Sequence, residues 1–195
     1  MEFVESGGYD ESALWNQTDW QWIRSQGIRH PKFWVKRQNE WFYRAMFGEI
    51  PMPQSWPVYV SHAEASAYAR WKGEMLPAEA EFHRAAIGQA VKGNVGLQAW
   101  DPVAVHSNQN ATSAFGIVGM IGNGWEWTST AFAPFAGFEP FPFYAGYSAD
   151  FFDNKHFVLK GGSPRTASRL TRASFRNWFQ PHYPYVYAGF RCVNR

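Results

Sequence analysis

Nearly one residue in five of this 195-residue chain is aromatic, and that constrains the core more than any other feature. Eleven Trp, nine Tyr and seventeen Phe are available, and each large ring can bury ~150–250 Å². Such a chain closes a core without long amphipathic helices. Its 17 Gly and 12 Pro break it up too often for long elements to form. Disorder needs the opposite composition, few rings and high net charge. Here the formal charge is +2 and charged residues make up 17%. One α+β domain over residues 1–195, rich in irregular structure, is expected.

The same numbers exclude several function classes. The small net charge argues against a nucleic-acid partner held through its phosphates. No run approaches the ~20 apolar residues of a membrane span. The Met1–Gly8 stretch has neither the basic nor the apolar region of a secretory signal, so a cytoplasmic setting is expected. A single cysteine, Cys192, rules out an internal disulfide and any multi-cysteine metal cluster.

Three helices can be read near the front. Thr18–Gln21 (TDWQ) has capping-box spacing and Gly27 supplies a stop, predicting a helix over 19–26. Ser61–Glu64 (SHAE) is a second box, opening a helix that stops at Gly73. A third is expected from Pro77 at its first position to a stop at Gly88. Strands are predicted at Val58–Val60, Trp125–Thr128, His156–Lys160 and Ala188–Val193, and loops through most of 91–124. Residues 132–152 read as a ring-rich loop. Phe3–Tyr9 reads as the tail of an element that begins upstream, so the domain is expected to lack its first strands.

Five segments in order carry a resemblance: Val58–Gly73 (VYVSHAEASAYARWKG), Leu76–Glu81 (LPAEAE), Gly122–Thr128 (GNGWEWT), Lys160–Ser163 (KGGS) and Gly189–Arg191 (GFR). Together they are similar to the sulfatase-modifying-factor, or formylglycine-generating-enzyme-like, domain, which implies a fold related to C-type lectins. The tail is more specific. Gly161–Ala167 (GGSPRTA), Ser174–Ala188 (SFRNWFQPHYPYVYA) and Tyr147–Phe152 (YSADFF) resemble the C-terminal domain of ergothioneine-biosynthesis sulfoxide synthases. That resemblance implies an O2-dependent enzyme in which Fe(II) couples a cysteine-type thiol to trimethylhistidine. It also implies an upstream DinB-like helical domain carrying a His-x3-His-x-Glu iron motif. None of the six histidines here, His30, His62, His83, His106, His156 and His182, takes that spacing. The iron ligands are therefore expected outside this chain, in cis or in trans, and the chain alone is expected to be inactive.

The resemblance assigns candidate residues. Asn177 and Trp178 are expected to line the trimethylhistidine pocket. Chemically, the amide can donate to a carboxylate and the indole face can attract a quaternary ammonium; the plain alternative is a turn residue and a core ring. Relatives that use γ-glutamylcysteine carry Asp at the position of Phe179, so free cysteine is the expected donor. Tyr144 and Tyr147 are the candidate catalytic phenols, with packing as the alternative. Arg176, His182 and Tyr183 are candidate substrate contacts, Arg176 and Arg165 having loop bridging as their other reading. Gly122, Gly124 and Glu126 resemble a structural Ca2+ segment, although Gly119 stands where those relatives place Asn. Glu79 and His83, four apart, have metal-ligand spacing, but so do ordinary helix pairs. Two rival functions stay open: a non-catalytic lectin-like binder, and a formylglycine-generating oxidase, against which the single Cys192 speaks.

Overall fold

In the computed structural model, residues 1–88, 93–107, 111–172 and 174–194 are described, so part of the 91–124 run lies outside them. The opening segment is a single helical turn, α1 (Glu2–Glu5), whose Phe3 is buried among Tyr9, Trp15 and Ile23. Helix α2 (Gln17–Ser25) starts two residues before its predicted position. Asn16, not Thr18, is the cap, because its amide serves both ways: Oδ1 accepts from Asp19 N (2.8 Å) while Nδ2 donates to Asp19 Oδ2 (2.7 Å).

A three-stranded antiparallel meander follows: β1 (Trp34–Arg37), β2 (Glu40–Arg44) and β3 (Glu49–Pro51). The sequence reading missed it. Its signal was the polar pair Gln38–Asn39 between two ring-bearing runs, and Gln38 does take a positive φ of 53° at that turn. Val58–Val60, predicted as a strand, joins no ladder. It is pinned by single bonds instead, Val60 N to Ala188 O (2.8 Å) and the Trp127 indole N–H to Val60 O (2.9 Å).

Helix α3 (His62–Lys72) has the predicted Ser61–Glu64 capping box and the Gly73 stop, with φ 72° at the glycine. It organises the core. Ala63 and Ala67 face the ring cluster of Phe3, Tyr9 and Trp15, while Ala65 and Ala69 face the cluster of Trp125, Trp127 and Leu159. Small side chains on both faces let two ring clusters close on one helix. Helix α4 (Glu79–Ala85) begins two residues later than predicted; Pro77 lies outside it, its carbonyl accepting Ser129 N (2.9 Å).

The second sheet has the order β6-β5-β4-β7: β4 (Trp125–Ala131), β5 (Phe157–Lys160), β6 (Asn177–Phe179) and β7 (Ala188–Gly189). β7 pairs parallel to β4, the other neighbours antiparallel. The strand predicted over 188–193 shrinks to two residues plus a bridge between Val193 and Met75. The ladder ends at Gly189, and two residues further on the Arg191 side chain engages Glu126. Among the described residues no helix is long and apolar enough to cross a membrane.

The glycine turn before β4 is tight. Gly122 has φ +84°, and a Cβ there would lie 2.8 Å from Asn94 N. Gly122→Ala is expected to destabilise the fold by about 1–3 kcal/mol, read as a lower melting temperature.

Candidate functional site

β6 is an edge strand, and its position is what exposes Asn177 and Trp178. Val158 pairs with Trp178, and Leu159 with Asn177, so one side of β6 is fixed to the core and the other borders an open groove. Asn177, Trp178, Phe179, His182 and Tyr183 all line this groove, of about 540 Å³, together with Phe151 and His156. The tail motif therefore folds onto one cavity, with Asn177 and Trp178 both in its lining.

The groove wall is built from stacked rings. Trp178 lies flat on buried Phe132 (4.2 Å, 7°), with Phe151 at 5.6 Å. Phe179 is stacked on Tyr183 (4.8 Å, 5°). Asn177 Oδ1 accepts from Trp178 N at 3.0 Å, and its Nδ2 has no hydrogen-bond partner among the described residues. His182 is held twice, by stacking on Trp22 (4.5 Å, 7°) and by a 2.7 Å contact from Nε2 to Oδ1 of buried Asp19. Tyr147 meets Trp178 edge-on at 6.3 Å, and Tyr144 packs on Tyr147 at 5.8 Å. Both phenols are more than half exposed, and neither lines the groove.

Arg176, expected as a substrate contact, points the other way. It grips Glu79 with Nε to Oε1 at 2.8 Å and Nη2 to Oε2 at 2.9 Å, donates to Ala133 O (3.0 Å), and lies over the Phe132 ring at 4.7 Å. Its loop-bridging reading is the one the structure adopts. Arg165 does the same elsewhere, lying over Tyr187 at 4.0 Å.

The sequence reading missed the network under the groove. Glu79 is buried (4% exposed), and beside its Oε1 lie Arg176, Lys160 Nζ at 3.7 Å and His83 Nε2 at 3.8 Å. Lys160 is 1% exposed and donates to Phe175 O at 2.7 Å. Burial pushes its ammonium down to about 8, against the attraction of Glu79. The i,i+4 pair of Glu79 and His83 thus exists, but a buried carboxylate among cations has no place for a metal. The network ties α4 and β5 to the segment entering β6. Lys160 stood in the KGGS motif, yet nothing local marked it as buried.

Gly122, Gly124 and Glu126 do share a surface groove, of about 290 Å³. There Arg191 engages both Glu126 oxygens, at 2.5 and 2.6 Å, so a guanidinium occupies the carboxylate that the Ca2+ reading requires. Among the described residues no three His, Cys, Asp or Glu side chains gather as a metal site. Cys192 packs beside the core, where burial and then Glu74 push its thiol up to about 12, far from a reactive thiolate.

The whole chain, residues 1–195, matches the family described as sulfatase-modifying factor enzyme 1-like domain. It is 34% identical over 210 residues to a hercynine oxygenase of Mycobacterium tuberculosis, covering 98% of this chain and 48% of that protein. It is also 34% identical over 177 residues to ergothioneine biosynthesis protein 1 of Schizosaccharomyces pombe, covering 84% of this chain and 22% of that protein. The chain thus spans about half the length of the hercynine oxygenases it matches. Among solved structures, PvdO from Pseudomonas aeruginosa shares the fold, with TM-score 0.56 and 16% identity over 87% of this chain and 73% of that one.

Proposed function

Because this chain belongs to the sulfatase-modifying factor enzyme 1-like domain family, we propose that it is the substrate-binding part of a sulfoxide synthase of ergothioneine biosynthesis, and that its groove seats trimethylhistidine. One observation carries the reading: Asn177 and Trp178 border the same cavity, the indole backed by Phe132 and the amide Nδ2 unspent. The hercynine oxygenases, at 34–35% identity over nearly the whole chain, support it.

The two groups divide the ligand between them. The indole face attracts the quaternary ammonium by ~0.5–2 kcal/mol, and Asn177 Nδ2 donates to the carboxylate. His182, anchored by Asp19, and Tyr183 border the remaining space. Phe179, stacked on Tyr183, offers no carboxylate to an amino group, so the thiol partner is free cysteine rather than its γ-glutamyl form. Tyr147, with Tyr144 behind it, brings a phenol to the groove's edge as a proton donor.

Fe(II) does not fit the described residues, which assemble no ligand cluster; a DinB-like domain in cis or trans is its holder in this reading. The setting is cytoplasmic. The formylglycine-generating alternative is disfavoured by the single, half-buried Cys192, whose thiol is pushed up to about 12.

Tryptophan-fluorescence titration tests the binding claim. Trimethylhistidine is expected to bind more tightly than histidine, and Trp178→Ala to weaken it about two- to thirty-fold. Equal affinity for the methylated and unmethylated amino acids would overturn the reading.

A further inference from the structure

Next to the groove, and sharing His182 with it, lies a second cavity of about 470 Å³ lined by Arg29, Lys32 and Arg44. We infer that it is a binding site for a small oxyanion, carboxylate or phosphate, attached to a flat ring. The site draws on separate parts of the chain: Arg29 and Lys32 follow α2, and Arg44 closes β2. The β1–β2 register, Trp34 opposite Tyr43, and the bond from Arg44 N to Phe33 O (2.8 Å) bring them together.

Some arginines of the chain are spent on carboxylates and others are not. Arg24, Arg37, Arg176 and Arg191 each meet a carboxylate of this chain. Arg29 and Arg44 meet none among the described residues, yet both line the same cavity. The one carboxylate in that lining, Glu64, is already spent. It is buried and accepts from Tyr9 Oη (2.7 Å), Ser61 N (2.8 Å) and Ser61 Oγ (2.6 Å), and burial holds its carboxyl above the usual range. Cations converging on one space repel each other. An oxyanion relieves that repulsion and matches the forked guanidinium donors.

The cavity's rings specify the rest of the ligand. Trp22 is held flat by His182, and Tyr185 sits beneath Lys32 at 5.3 Å. Tyr185 is half exposed, so a planar group can lie against it. The volume is within the ~300–1,000 Å³ of small-ligand pockets. None of this depends on the trimethylhistidine reading, since only His182 is common to both cavities.

Calorimetric titration of the 195-residue chain with benzoate, phenyl phosphate and inorganic phosphate at low salt tests the inference. At least one ring-bearing anion is expected to bind saturably and more tightly than inorganic phosphate, and the choice between benzoate and phenyl phosphate identifies the anionic group. The double variant Arg29→Gln/Arg44→Gln, both positions being exposed, should keep its melting temperature and lose about tenfold or more in affinity. Trp178→Ala should leave this binding unchanged. The inference falls if neither ring-bearing anion binds saturably, if inorganic phosphate binds equally well, if affinity survives the double variant, or if it disappears with Trp178.

Discussion

Glu79→Ala is expected to cost about 3–5 kcal/mol of stability, because it leaves buried cations without their countercharge. The carboxylate is 4% exposed and receives two contacts from Arg176, with Lys160 Nζ 3.7 Å away. Lys160 keeps its bond to Phe175 O, but a neutral carbonyl does not supply the countercharge that Glu79 gives. For a domain of this length the loss corresponds to a melting temperature lower by about 6–20 °C. Glu79→Gln should fall between wild type and Ala, since it keeps an acceptor but not the charge. Scanning calorimetry at pH 7 distinguishes the three. A shift of under a degree for the Ala variant would show that the network holds nothing together. The groove should suffer as well, because Arg176 directly precedes Asn177 and shares the Phe132 ring with Trp178.

Acidification should remove about 3 kcal/mol through His62 alone. The ring is buried, stacked on Phe157 at 3.8 Å, and donates from Nε2 to Thr128 O at 3.2 Å. Burial lowers its pKa from 6.5 to about 4. Unfolded, the imidazole takes up a proton as pH falls through about 6.5; folded, it stays neutral until about 4. Between those values the unfolded chain binds more protons. Stability is therefore complete above about 6.5 and drains as pH falls toward 4. A shift of this size, at 1.36 kcal/mol per unit, gives about 3 kcal/mol. Glu64 acts in the opposite sense: its raised pKa makes the folded carboxyl hold a proton that the unfolded one has released, adding stability as pH falls. The measurement is thus a difference, wild type against His62→Gln, by chemical denaturation at several pH values from 7 to 4.5. The variant should lose less stability over that range. Parallel curves would refute the assignment.

Much of the fold was legible because its signals are local. The Ser61–Glu64 box and Gly73 set both ends of α3 to the residue, since capping depends on atoms within one turn. The strands predicted at Trp125–Thr128 and His156–Lys160 were found at Trp125–Ala131 and Phe157–Lys160. Misreadings occurred where a different partner displaced the one the local pattern suggested. Thr18 has box spacing, but Asn16 satisfies Asp19 through both of its amide atoms. Val58–Val60 has strand composition, but an indole took the place of the ladder partner.

By itself the sequence determined the family, the ring-built core and the adjacency of Asn177 and Trp178, since order along the chain and motif identity need no folded partner. Which charge each polar side chain answers was settled by packing across the fold. Arg176 could have faced a ligand but meets Glu79, 97 residues away, and Glu126 could have faced a cation but meets Arg191, 65 residues away. An ion pair is chosen by burial and proximity in the folded state. A buried charge must take whichever countercharge the packing brings within reach, and linear spacing does not encode that distance.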